Sequence, residues 1–275
     1  MDDAWKNIEL TPDGTLTHIF QEFVICEFKG FDGKHFRLSG ETGDSHYLGF
    51  DFFNPLTNKA GGKQLSVGIL SLACLNLPLE MHYQPENMFL AGIIPGPKEP
   101  PLDAINSYIK PIVDVFLEFW TEVYFTKTLQ YNLGQMMFCA IALVICDSPA
   151  AQKIGGFACH NHEYFCWQCW INKTQFGYNS FDISSWKWQT NDKWWYHANV
   201  FYTASTMKAS QSSLDTTGLR WSELLRLSYF DMAHFLIVEP MHALFFRTYQ
   251  GAFSGNFRHL ARNLFFRTKV TSIAY

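Results

Sequence analysis

Gln135–Trp170, QMMFCAIALVICDSPAAQKIGGFACHNHEYFCWQCW, joins a long apolar run to a single acid, a proline-led turn and a cluster of soft ligands. The run from Met136 to Cys146 stops at Asp147, which reads as a buried strand delivering a carboxylate to the carboxyl edge of an α/β sheet, where open sheets keep their chemistry. Pro149 fits the first turn of a following helix, AAQKIG. Cys159, His160, His162, Cys166 and Cys169 come next. Cys166-x-x-Cys169 is the strongest local signal, because two thiolates at that spacing can bite one tetrahedral zinc ion. His160 is the best third ligand nearby, Cys159 and His162 compete with it, and His242 is a candidate fourth from far along the chain. The competing reading is a pair of buried cysteines among aromatic residues.

Upstream of this stretch, Tyr47 to Phe53 (YLGFDFF) is a strand that presents Asp51 among aromatics and ends at Asn54-Pro55. A lone acid there is either paired or metal-bound, or it lies on the strand's solvent face. Leu65 to Cys74 and Met88 to Ile94 are two further turn-bounded runs, so the pattern predicts an antiparallel meander. After a proline-rich connection, Ile105, Ile109, Ile112, Val113, Phe116 and Phe119 recur at helical spacing, with Pro111 predicting a kink or a split. Asp114, Glu118 and Glu122 read as a solvated face. Before Tyr47, turn signals at Pro12-Asp13-Gly14 and Phe31-Asp32-Gly33-Lys34 suggest a short element and a hairpin.

Downstream, residues 171–220 are polar and rich in tryptophan and read as an irregular insertion over the core, its aromatics packing rather than stacking on bases. Trp221 to Leu227 begins a helix, His234 to Val238 is a short β-rich run ending on a third acid, Glu239, and Met241 to Phe253 resumes helical character.

A chain of 275 residues with 48% hydrophobic and 17% aromatic residues can fill a sizeable core. The net charge of −4 argues against a simple electrostatic nucleic-acid binder, yet the balance shifts along the chain. Residues 1–199 hold 13 Lys and Arg against 21 Asp and Glu, whereas residues 200–275 hold 8 against 4. The amino terminus, MDDAWKNIEL, lacks the regions of a secretory signal, and the longest apolar run falls well short of the roughly 20 residues of a membrane span. A soluble intracellular protein with no membrane association is expected, and seven cysteines there favour metal over disulfides.

Asp51 and Asp147, each at or near the end of a predicted strand, would make a hard-oxygen site for Mg2+ or Mn2+ if the strands are neighbours. Two such ions suit phosphodiester cleavage. The order strand, strand, strand, helix, strand matches the first part of a ribonuclease H-like core.

Several stretches resemble the transposases of CACTA-type (En/Spm) DNA transposons, in the version abundant in mushroom-forming fungi. They are FKGFDGKHF (Phe28 to Phe36), DFFNPLTNKAGGKQLSVG (Asp51 to Gly68), CLNLPLEMHYQPENMFLAGIIPGPKEPPLDAIN (Cys74 to Asn106), CDSPAAQKIGGFACHNHEYFCWQC (Cys146 to Cys169), RWSELLRLSYFD (Arg220 to Asp231) and VEPMHALFFR (Val238 to Arg247). The resemblance implies an α/β, ribonuclease H-like mixed sheet of the DDE type, interrupted by a zinc-containing, aromatic-rich insertion. It also implies cleavage and strand transfer of DNA at transposon ends and target by two-metal-ion chemistry, in the nucleus, with a homo-oligomer possible. Asp51 matches the family's first catalytic acid and Asp147 its second. His160, Cys166 and Cys169 match its His and Cys-x-x-Cys positions, which suggests a structural zinc.

Glu239-Pro240-Met241-His242 stands where the family carries Asp-x-x-His. The family's third acid, a helical glutamate, would fall beyond Tyr275, so the expectation is a truncated chain inactive on its own, with Glu239 the possible substitute. The expected divisions are a lead-in segment (1–45), the first part of the core (46–158), the zinc clip and Trp-rich insertion (159–220), and a fifth strand with a basic helical segment (221–275). The alternative function is a non-catalytic or domesticated transposon remnant that keeps zinc and binds DNA or protein.

Overall fold

The structure, a computed structural model, describes residues 27–29, 35–37, 43–53, 55, 65–78, 81–82, 84–101, 104–121, 123–125, 127, 132–159, 161–176 and 186–238. All of them lie within the compact unit that ends at Val238.

Two short strands, β1 (Glu27–Lys29) and β2 (His35–Arg37), pair antiparallel as the expected hairpin. The turn signals at residues 31–34 and at 12–14 lie outside the described residues. The central sheet is built from β3 (Gly43–Phe53), β4 (Val67–Cys74), β5 (Met88–Ile94), β6 (Val123–Phe125), β7 (Gln135–Cys146) and β8 (Leu236–Val238). Its order is β5-β4-β3-β7, with β6 and β8 both paired to β7. The first three strands form the antiparallel meander. β7 then runs parallel to β3 and β8 parallel to β7, which makes a mixed, open α/β sheet.

Burial alternates along β4, with Leu70 and Leu72 turned to the core. Leu48 on β3 lies directly across from Leu72 and Val144, so one face of three strands is apolar in register. Gly68 belongs to this arrangement. It sits opposite Phe52, and a Cβ at Gly68 would meet the Phe52 ring at 2.7 Å, so the missing side chain makes room for the aromatic.

Helix α1 (Ile105–Thr121) joins this core through buried Ile105, Ile109, Ile112, Val113 and Phe116, the spacing read from the sequence. Pro111 does not split it. A proline removes one N–H and leaves the carbonyl four residues earlier unbonded. Here Pro111 and Ser107 are both exposed, so that carbonyl lies on the side where water can serve it.

Three other readings of the sequence are corrected. The stretch taken as an irregular insertion contains α3 (Lys173–Phe176), α4 (Asn191–Thr203) and α5 (Met207–Thr217). Buried Trp194 and Ala198 of α4 belong to the same core as the sheet. The helix expected from Trp221 to Leu227 is a single 3-10 turn, Glu223–Arg226, tied to α1 on two sides. The Asn106 amide donates to Trp221 O and accepts from Glu223 N, both at 3.0 Å, and Arg226 pairs with Asp114 at 2.6 Å. Asp114 therefore does more than face solvent: the Arg226 guanidinium holds its carboxyl below the usual range. Finally, the β-run read from His234 begins later. Met232–Phe235 is a helical turn, α6, capped by Asp231, and only Leu236–Val238 is strand. The helical reading at 241–253 lies outside the described residues.

Candidate functional site

The pairing of β3 with β7 decides what the two predicted acids can do. From Gly43↔Phe138 to His46↔Ile141 the strands run in one register. It then slips, and Tyr47↔Leu143 leads on to Phe50↔Cys146, leaving Ala142 as an extra residue in β7. One step past the last pair, Asp51 continues β3 while Asp147 leaves β7 and opens the turn into the next helix, so the two acids come at the carboxyl ends of adjacent parallel strands. The structure brings the two acids to neighbouring strand ends.

Their surroundings differ. Asp51 is exposed, whereas Asp147 is half-buried and caps helix α2 (Ser148–Gly155), its Oδ1 accepting from Ala150 N at 2.7 Å. A carboxylate has two oxygens and about four lone-pair sites, so the cap leaves Asp147 with acceptor capacity. The Cys146 thiol, level with Phe50 in the ladder, is buried in the core. Burial raises its pKa first, and the negative charges of Asp147 and Asp51 raise it further. The thiol is therefore kept neutral.

Beside Asp51, the ring of Phe52 carries the Lys153 ammonium 4.4 Å from its centre, and Lys153 also pairs with Glu99. Burial pulls the Lys153 pKa down. Lys153 carries no mark in the sequence, because its place depends on α2 packing over β3.

Helix α2 is fixed at both ends. Its amino end is capped by Asp147, and its carboxyl end is gripped by the segment Leu219–Ser222. Ser222 Oγ donates to Ile154 O at 2.7 Å, and the buried Arg220 guanidinium donates to Phe157 O at 3.2 Å and Gln152 O at 3.4 Å. A cation at a helix carboxyl end also meets the negative end of its dipole. Gly156 makes the turn between them with φ of 72°, and a Cβ there would meet Arg220 O at 2.7 Å.

The second candidate site is the thiol pair of Cys166 and Cys169. Cys169 is buried and Cys166 half-buried, and their thiols are hydrogen-bonded to each other. The bond from Cys169 lowers the Cys166 pKa and correspondingly raises that of Cys169. Two thiolates at Cys-x-x-Cys spacing are donors of the kind a tetrahedral zinc takes. Among the described residues no group of three or more His, Cys, Asp or Glu is gathered to hold a metal. His160, Glu239 and His242 lie outside the described residues. Cys159 is exposed, and His162 Nδ1 meets Tyr164 N at 3.1 Å. Among the histidines taken as ordinary, His82 is buried with Nε2 2.6 Å from Leu77 O, His197 packs edge-on to Trp170, and His18 is outside the described residues.

Among the described residues no helix is long and apolar enough to cross a membrane. No curated protein matches the chain. Residues 13–194, about two-thirds of the chain, match the model of the transposase family tnp2. That span contains the meander, α1, β7, both acids and the thiol pair, and on this evidence the chain belongs to the tnp2 family of transposases.

Proposed function

We propose that this chain carries the catalytic domain of a transposase that cuts transposon ends and joins them to target DNA, with Asp51 and Asp147 as metal-holding acids. The observation that carries the reading is the β3–β7 pairing, which ends at Phe50↔Cys146 and so leaves Asp51 and Asp147 next in line at the carboxyl ends of adjacent parallel strands. The sheet order, an antiparallel meander followed after a helix by parallel β7 and β8, supports a ribonuclease H-like class. Family membership implies DNA as the partner, and the motifs favour the CACTA type in its fungal, nuclear version.

Two Mg2+ or Mn2+ ions, when bound, supply a nucleophile at neutral pH and stabilise the leaving oxygen. The chain's part is to hold the acids. β3 and β7 bring the two strand ends side by side, and α2 orients Asp147 through its cap. Glu239 follows β8, the strand beside β7, and is the proposed substitute for the third acid. Cys166 and Cys169, with His160 and His242, are the proposed zinc ligands bracing the segment between α2 and α4.

The test is cleavage of a labelled transposon-end DNA by the purified chain in Mg2+ or Mn2+. With Glu239 acting as the third acid, the expected result is metal-dependent nicking that Asp51→Asn and Asp147→Asn each abolish. Bound zinc and DNA binding without nicking, under conditions where the chain is folded, would instead support a non-catalytic remnant.

A further inference from the structure

The offset that lets Asp51 and Asp147 follow one ladder pair, Phe50↔Cys146, depends on a single extra residue. In the register that β3 and β7 keep through His46↔Ile141, Asp51 would stand level with Cys146, and Asp147 with Phe52. The two strand ends would then be one residue out of step, and a one-residue slip reverses every side chain of a strand. Ala142 is the inserted residue that prevents this. Bulges leave backbone groups out of the ladder, and a buried N–H without an acceptor is costly, so something must compensate.

The residue at the break is Ile141, and its N–H donates to the hydroxyl of Tyr229 at 3.1 Å. Tyr229 is fully buried, and its ring is stacked on Trp120 of α1 with centroids 4.1 Å apart. The chain around it is held as well. Phe230 N donates to Leu227 O, and the buried Asn191 side chain binds both Phe230 O and Met232 N. Thus a phenol anchored by α1 and α4 reaches the strand where its register changes. On its other edge, β7 pairs with β6 through Gln135–Met137 and with β8 only from Val144 onward, so Ile141 lies between these two pairings.

We propose that Tyr229 is a positioning residue whose hydroxyl holds the Ala142 bulge and thereby keeps Asp51 and Asp147 following one ladder pair. It touches neither acid. The inference rests on the reading of the two acids as a metal site for its consequence, but its structural half stands apart from that reading.

The experiment compares the unaltered chain with Tyr229→Phe, which removes one oxygen and keeps the stacked ring. Two readouts are needed. Cross-strand NOEs between the Gly49–Asp51 and Ile145–Asp147 backbones report the register without any metal. Titration with Mn2+, checked against Asp51→Asn and Asp147→Asn, reports the acid pair. The expected result is loss or averaging of those NOEs in Tyr229→Phe, faster exchange of the Ile141 amide, and Mn2+ affinity lower by about tenfold, the size typical when a supporting shell is removed.

If Tyr229→Phe keeps the NOEs and the Mn2+ affinity of the unaltered chain, the inference is overturned. If the unaltered chain binds no Mn2+ through the two acids while the NOEs still depend on Tyr229, the metal reading fails and the positioning role stands. Should Tyr229→Phe not fold, the Ile141 amide of the unaltered chain decides. Exchange as slow as that of neighbouring strand amides supports the bond, and exchange at the rate of an open loop refutes it.

Discussion

At the scale of single residues, Asp147 carries two separable burdens. Its Oδ1 caps α2, and in the proposed site it holds metal together with Asp51. Asparagine caps about as well as aspartate, whereas alanine in place of an N-cap costs about 1 kcal/mol. Asp147→Asn is therefore expected to hold its unfolding free energy within a few tenths of a kcal/mol of the unaltered chain. Asp147→Ala should lose about 1 kcal/mol in urea melts. Both should lose metal-dependent activity, and equal losses of stability would show that the cap does not operate. His197 gives a second prediction. Burial first, and Lys193 next to it, lower its pKa from 6.5, so the folded state resists protonation more than the unfolded state. Above pH 6.5 both states are neutral and this group has no effect; as pH falls through that value the unfolded chain binds the proton first and stability declines. His197→Gln should flatten the fall in urea midpoint between pH 7 and 5, and an unchanged slope would remove His197 from the account.

At the scale of elements, the grip on α2 yields a sharper test. Gly156 has a φ of 72°, which costs an L-residue about 1–2 kcal/mol, and its Cβ would meet the Arg220 carbonyl at 2.7 Å. Gly156→Ala is expected to destabilise the chain by about 2 kcal/mol or more, read as a lower urea midpoint at unchanged slope. The elements around α2 also show what could be read from residue order. β5 was legible to its ends, and β3, β4 and β7 within a few residues, because each is an apolar or alternating run bounded by turns. Helix α2 was legible because Asp147-Ser148-Pro149 is a capped start. Helices α4 and α5 were not. Trp194, Trp195, Tyr196, Val200 and Tyr202 scatter large apolar residues around α4, so no single stripe recurs, and α5 buries no residue. Their helicity comes from docking and capping, as where Thr206 Oγ1 accepts from Ala209 N, rather than from period. The acids were legible as types at strand ends. The Ala142 bulge that sets their offset was not, since one alanine in an apolar run carries no mark of being the extra residue.

At the scale of the whole molecule, the site ties local geometry to global stability. In metal-free buffer two adjacent carboxylates repel, and the folded state alone holds them at neighbouring strand ends. Neutralising one with Asp51→Asn should therefore leave the metal-free melting temperature equal or slightly higher, since Asp51 is exposed. Mn2+ acts in the opposite direction. A ligand that binds only the folded chain stabilises it by about 2.7 kcal/mol at a hundred times its dissociation constant. For a chain of this size, that corresponds to a rise of about 5–10 °C in melting temperature. The unaltered chain should show this rise, and Asp51→Asn and Asp147→Asn should each remove it, because one carboxylate cannot replace the pair. Zinc linked to Cys166 and Cys169 would produce its own rise, lost in Cys166→Ser but kept in Asp51→Asn, so the two sites separate by variant as well as by metal. A Mn2+ shift that survives both acid variants would place the ion elsewhere and leave the neighbouring strand ends of β3 and β7 without their proposed chemistry.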